Sequence, residues 1–98
     1  MKIEVLPSAF SDLKKGREFY QIQSNNLGEY FFDSLFSDID SLILHAGVHQ
    51  KYFDYYRKLS NTFPYAIYYK VENRNEIIIY RVLDCRQNPE KTTKQLSK

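Results

Sequence analysis

The stretch TFPYAIYYKVENRNEIIIYRVLDCRQNP, Thr62 to Pro89, decides the fold. Phe63, Tyr65, Ile67, Tyr69 and Val71 fall on one face, and Ala66, Tyr68 and Lys70 on the other. That period of two belongs to a half-buried strand. Asn73-Arg74-Asn75 is turn-forming. Glu76–Cys85, rich in β-branched side chains, reads as the strongest strand of the chain. From Arg86 the sequence turns polar, and Asn88-Pro89 closes the sheet. Both strands carry Tyr, Lys and Arg where a buried hairpin would be aliphatic, so one face of the sheet is expected to work against a partner.

Working outward, Lys51–Leu59 reads as a further strand of mixed character. Before Gly47 the period changes. Phe32, Leu35, Phe36, Ile39, Leu42, Ile43 and Ala46 recur at helical spacing, which predicts a helix over Leu27–Ala46 that Gly47 stops. An earlier helix is predicted from Ser8, as N-cap, to Gln23, with Ala9, Leu13, Gly16 and Tyr20 on one side. Ser24-Asn25-Asn26 is a short break between the two, so they form an antiparallel hairpin. Gly16 costs a helix about 1 kcal/mol relative to Ala, and a close helix–helix approach accounts for it. Lys2–Leu6 alternates as a short first strand. The order is therefore β-α-α-β-β-β. It predicts an α+β fold with a four-stranded, mainly antiparallel sheet, a helical hairpin on one face and the other face open. Residues 1–89 are expected to form a single domain. Residues 90–98 form a polar tail with one apolar residue, Leu96, expected to be mobile or helical only with a partner.

At 98 residues the chain is long enough for one domain with its own core. Nine Tyr and seven Phe are too many for that core to hold, so some aromatics belong at the surface. The single Cys85 cannot form an internal disulfide. The first residues have no signal-peptide h-region, and no apolar run approaches a membrane span. A cytoplasmic protein without membrane partners is the expectation. The net charge of +2 is unevenly spread. Residues 8–47 hold three basic and six acidic residues, leaving −3, while residues 48–98 hold ten basic and five acidic, leaving +5. A basic sheet half points to an anionic partner.

The segments FPYAIYYKV (63–71) and RVLDCRQNP (81–89), with Arg57 ahead of them and the order β-α-α-β-β-β, resemble the RelE/ParE superfamily. Its members are toxins of type II toxin–antitoxin (plasmid stabilisation) systems, and the likeness covers nearly the whole chain. The resemblance implies a cognate antitoxin as partner and no cofactor. It also implies one of two activities. RelE-like members cut mRNA in the ribosomal A site without metal, and ParE-like members bind and poison DNA gyrase. Cleaving members place an Arg in the penultimate strand where this chain has Ala66, and of the cations they carry near the end of the last strand only Arg86 remains. Metal-free cleavage must stabilise a dianionic phosphorane and move two protons, which takes convergent cations and an acid–base pair. Ala66 supplies neither, so the sequence leans towards a ParE-like toxin that binds a target such as gyrase. A RelE-like ribosome-dependent endoribonuclease is the alternative, with Arg57, Lys58, Arg81, Arg86 and Tyr68 as its candidate residues. A non-toxic scaffold that keeps only antitoxin binding is the third reading.

The expected partner surface consists of Tyr68, Lys70, Ile77, Ile79, Arg81 and Arg86. Aromatics interleaved with cations suit bases and phosphates, or the anchors of a protein interface. Ile77 and Ile79 share a strand face with Arg81, and exposed isoleucines call for cover. His45 and His49 have the i, i+4 spacing of a helical zinc pair, but Gly47 lies between them and no further ligand is at hand. No metal site is expected. Cys85 has a cation beside it, Arg86, but no paired His, and reads as a small residue packed at a strand end.

Overall fold

The computed structural model describes residues 2–97. Its central hairpin is β4 (Tyr65–Glu72) against β5 (Glu76–Asp84), antiparallel, with Tyr65 opposite Asp84 and Glu72 opposite Glu76. Asn73 and Arg74 turn it with φ of 55° and 61°. Two successive left-handed residues give the mirror-image turn whose twist matches the flanking strands. As the alternation predicts, Tyr65, Ile67 and Tyr69 enter the main core, and Ala66 and Tyr68 enter a separate cluster on the opposite face.

The alternation fails once, in β5. Tyr68 faces Arg81, yet Tyr69 faces Ile79, so Tyr80 is an extra residue. A bulge of this kind shifts the phase of every side chain beyond it. Ile77 and Ile79 are therefore 0% exposed in the main core, together with Val82, and do not belong to an open face. Arg81 turns to the side of Tyr68. The expected Ile77–Ile79–Arg81 strip does not exist.

Ahead of the hairpin, β1 (Lys2–Val5) pairs parallel to β5, so the sheet is mixed. Lys51–Leu59 is two strands, β2 (Lys51–Tyr52) and β3 (Tyr55–Leu59), joined at Phe53-Asp54. The sheet has five strands in the order β1-β5-β4-β3-β2, one more than the sequence reading.

Helix α1 (Pro7–Gln23) starts one residue before Ser8, with Pro7 in its first turn, where the missing N–H does no harm. Ser8 is not the cap; its hydroxyl donates to the Tyr80 carbonyl at 2.9 Å. Helix α2 (Leu27–Asp40) breaks at Ser41, and a short α3 (Leu42–His45) follows in place of one helix to Ala46. The Ser41 hydroxyl donates back to the Asp38 carbonyl at 2.6 Å, a bond that bends helices. Two glycines bring α1 and α2 together. A Cβ on Gly16 would lie 2.5 Å from the Phe31 ring, and one on Gly28 would lie 2.6 Å from the Arg17 carbonyl oxygen. The hairpin so closed lays Leu13, Phe31, Leu35 and Ile39 on Ile67, Tyr69, Ile77 and Ile79.

The segment read as a tail is helical within the chain itself. In α4 (Pro89–Leu96) the Asn88 side chain accepts from the Glu90 N–H at 2.8 Å, and Pro89 opens the first turn. Leu96, 3% exposed, packs on Ala66, Tyr68 and Leu83 and covers part of the face expected to be open. An eight-residue helix is not stable alone; polar bonds hold this one. Gln87 Nε2 donates to Thr92 Oγ1 and Gln95 Oε1 at 2.8 Å each, and the Tyr55 hydroxyl donates to the Leu96 carbonyl at 3.2 Å. The ends of the two expected ranges, Met1 and Lys98, lie outside the described residues.

Candidate functional site

β1 ends at Val5 opposite Ile79, so the rest of β5 is a free sheet edge. The chain spends Arg81 and Asp12 on that edge. Asp12, on the buried side of α1, accepts from Arg81 Nε at 2.7 Å and Nη2 at 2.8 Å, and from the Val82 backbone N–H at 3.0 Å. Arg81 Nη1 donates to the Gln95 carbonyl of α4 at 3.3 Å. The hydrogen bond to Asp12 is the main cause that raises the Arg81 pKa. Arg81 is thus a clamp between α1, β5 and α4. Asp12 itself was missed in the sequence. Its signal was a carboxylate between Ala9, Leu13 and Gly16 on the inward side of a helix.

Arg86 is likewise engaged, donating from Nε and Nη2 to Asp84 at 3.0 and 2.9 Å and from Nη2 to the Tyr20 hydroxyl at 3.3 Å. Burial opposes ionisation of Asp84, but the hydrogen bonds from Arg86 outweigh it and hold the carboxyl below its usual range. Burial, with Asp84 next, pushes Tyr65 up to about 12, which removes it as an acid or base near neutral pH.

Arg57 and Tyr68 face each other across β3 and β4, and Arg57 Nε donates to the Tyr68 hydroxyl at 3.1 Å. Arg57 Nη2 lies 3.7 Å from Cys85 Sγ. With Tyr52, Asp84 and Gln87 these three line a groove of about 290 Å³. Burial raises the Cys85 pKa despite the opposing charge of Arg57, so the group is a thiol at neutral pH. Cys85 is exposed, not packed as the sequence reading had it. Lys58 stands opposite Ile67, on the other face from Arg57. Lys70 lies between two rings, 5.0 Å from the centroid of Tyr55 and 5.3 Å from that of Tyr80. Together with Leu6, Ser8 and Arg81 they bound a groove of about 390 Å³ beside α4. Of the candidate residues, Arg57, Tyr68 and Arg81 stand in register across β3, β4 and β5 on the face that α4 partly covers, with Lys70 on the same face; Lys58 lies on the opposite face, Arg86 follows the end of β5, and Ile77 and Ile79 are in the core.

A family model described as the ParE toxin of the type II toxin–antitoxin system parDE matches residues 3–89. The chain belongs to this family of type II toxins. Among solved structures it is similar to one titled "Chromosomal ParDE TA system from P. aeruginosa". That likeness has 15% identity and a TM-score of 0.73 over 84% of this chain and 92% of the other, and it supports the same fold. No curated protein sequence matches the chain.

In this ParE-family chain one imidazole, His49, sits beside Lys51, Lys58 and Arg57. Gly47 N–H donates to the Tyr69 hydroxyl oxygen at 3.0 Å, and that hydroxyl is 2.5 Å from His49 Nδ1. This contact forms with either His49 tautomer, since Nδ1 can accept from the hydroxyl or, protonated, donate to the second lone pair of its oxygen. Burial first, then Lys58 and His45, lowers the His49 pKa.

Proposed function

We propose that this toxin arrests growth by binding a macromolecular target, DNA gyrase, and not by cutting mRNA. The observation that carries this reading is the Asp12–Arg81 clamp. The cation in the last strand that a metal-free nuclease would aim at a scissile phosphate is bound at 2.7 Å to a carboxylate and caps a sheet edge. Arg86 is matched by Asp84, Ala66 is buried, and Nδ1 of His49 is engaged with the Tyr69 hydroxyl. An Arg does not give up its proton near neutral pH.

The cognate antitoxin covers the part of the sheet face that α4 leaves open. Lys70 between Tyr55 and Tyr80 gives that surface a cation and two aromatic anchors, the side chains typical of an interface centre. Of the other expected contacts, Tyr68 lies beneath α4 and Arg86 at the rim. Both partners place the chain in the cytoplasm; among the described residues no helix is long and apolar enough to cross a membrane.

The test is a translation reaction containing ribosomes, a reporter mRNA and the purified chain, with mRNA 5′ ends mapped. Uncut mRNA is expected at toxin levels that stop growth. Codon-specific cuts that vanish in Arg57→Ala or Arg86→Ala would overturn the proposal in favour of a RelE-like endoribonuclease.

A further inference from the structure

Two hollows on the α4 side of the sheet share a wall. The first, of about 390 Å³, reaches from Leu6 at the start of α1 past Tyr80 to Tyr55 and Lys70. The second, of about 540 Å³, reaches from Tyr55 and Lys70 to Leu96 of α4 and to Phe53 and Asp54 in the β2–β3 turn. Tyr55 and Lys70 line both, so the two form one groove with Lys70 at its middle.

That middle holds an unmatched charge. Lys70 is half-buried, and its ammonium is held by the rings of Tyr55 and Tyr80, which meet edge to face at 5.3 Å. Ring faces attract a cation, but the three N–H donors of the ammonium still call for oxygens. Among the described residues no carboxylate lies within salt-bridge distance of it. Arg81, which also lines the groove, is matched by Asp12. On either side of Lys70 the groove has apolar walls, Leu6 at one end and Leu96 and Phe53 at the other. Phe53 has φ 57° while 57% of it is exposed. Left-handed backbone at the first central position of a two-residue hairpin turn is normally taken by Gly. A bulky residue there is strained, and such strain persists where a side chain is needed in that place. Burial within the chain does not explain this ring, which leans edge-on against Tyr52 at 4.9 Å.

We infer that the cognate antitoxin enters this groove with one carboxylate on Lys70 and an apolar side chain beside it against Phe53 and Leu96. The inference rests on the reading that the antitoxin covers this face and names what it must carry there. One free ammonium between aromatic walls matches one Asp or Glu side chain, and a charge-assisted bond in such a setting is stronger than one in open water. A more highly charged ligand has no second free cation to meet in the groove, and Asp54 at its end repels it.

The experiment titrates the purified antitoxin, the product of the reading frame adjoining the toxin gene, into the full-length chain by calorimetry. Lys70→Glu sets one carboxylate against another and is expected to weaken binding about thirtyfold or more, the scale for a broken interfacial charge pair. One Asp→Lys or Glu→Lys change in the antitoxin should recover most of that loss, and the same change should weaken binding to the unmodified chain. Phe53→Gly is expected to weaken binding about fivefold or more, as for an anchor residue. Its melting temperature should not fall, because Gly suits the turn. Lys58→Glu, on the opposite face of the sheet, should bind as the unmodified chain does. A loss as large for Lys58→Glu as for Lys70→Glu would mean unspecific attraction of an acidic protein and overturn the inference. Full affinity in Lys70→Glu would overturn it too, and if that variant had also lost growth arrest the groove would belong to the target. Hydrogen exchange separates this failure from that of the reading beneath it. Slowed exchange in β3 and α4 with Lys70→Glu at full affinity removes only the carboxylate, whereas no binding, or unchanged exchange in both elements, removes the antitoxin from this face as well.

Discussion

Arg81 joins three elements through one guanidinium, and its partner carries the greater structural risk. Asp12 is 8% exposed at its side chain and Arg81 19%. Removing the carboxylate leaves a charge and the Val82 N–H without partners in a site with little water, and breaking a buried pair in this way costs about 3 kcal/mol. Asp12→Ala is therefore expected to lower the urea midpoint by that equivalent without changing the slope. A loss under about 1 kcal/mol, the scale of an exposed pair, would show that water reaches the clamp. His49 gives a second expectation at this scale. Its folded pKa lies below the ordinary value of 6.5, so the unfolded chain takes up the proton first. The stabilisation is fully present above that value and is lost as pH falls through the folded pKa. Melting temperature should drop more on going from neutral pH to about pH 5.5, below the ordinary His range, for the unmodified chain than for His49→Gln. Parallel profiles would contradict the burial and the neighbouring cations that lower this pKa.

α4 is the element whose loss tests the packing most cleanly. Its one buried apolar side chain is Leu96, and Leu96→Ala should destabilise the protein by about 2 kcal/mol, the low end for a core truncation. Hydrogen exchange should then rise at the amides of Thr92–Leu96 and stay slow in β4 and β5. Unchanged exchange in α4 would mean that the Gln87 and Tyr55 bonds suffice to hold it. This helix also marks where sequence reasoning ran out. α1 and β4 were legible because their core-facing side chains recur at a fixed period, and β5 because it is rich in β-branched residues. In α4 a single leucine set no period, and the polar residues that anchor it find their partners only in three dimensions. Asn88-Pro89 was noticed as a stop, although the same pair is a good helix start. The bulge at Tyr80 was invisible for a related reason. It is a property of two paired strands, and it moved Ile77 and Ile79 from the expected surface into the core. Gly16 was read correctly because only close contact with Phe31 offsets its propensity cost. The candidate site was legible residue by residue, as in Arg57 with Tyr68. The pairing that engages those cations was not, since Asp12 and Arg81 lie far apart in the chain.

For the molecule as a whole, a helical hairpin and a sheet form one core, and α4 closes part of the sheet's second face. The cations of the basic half are held in separate places by Asp12, Asp84, Tyr68 and the rings around Lys70. A scaffold arranged in this way offers a partner several separate polar and aromatic contacts. The most direct measurement is therefore on the proposed target: DNA supercoiling by purified gyrase with the purified chain added, followed by denaturation to reveal cleaved DNA held on the enzyme. The account predicts lost supercoiling and accumulated cleavage complexes, both abolished by the cognate antitoxin. Full supercoiling without cleavage complexes, at concentrations of the chain that arrest growth, would contradict it.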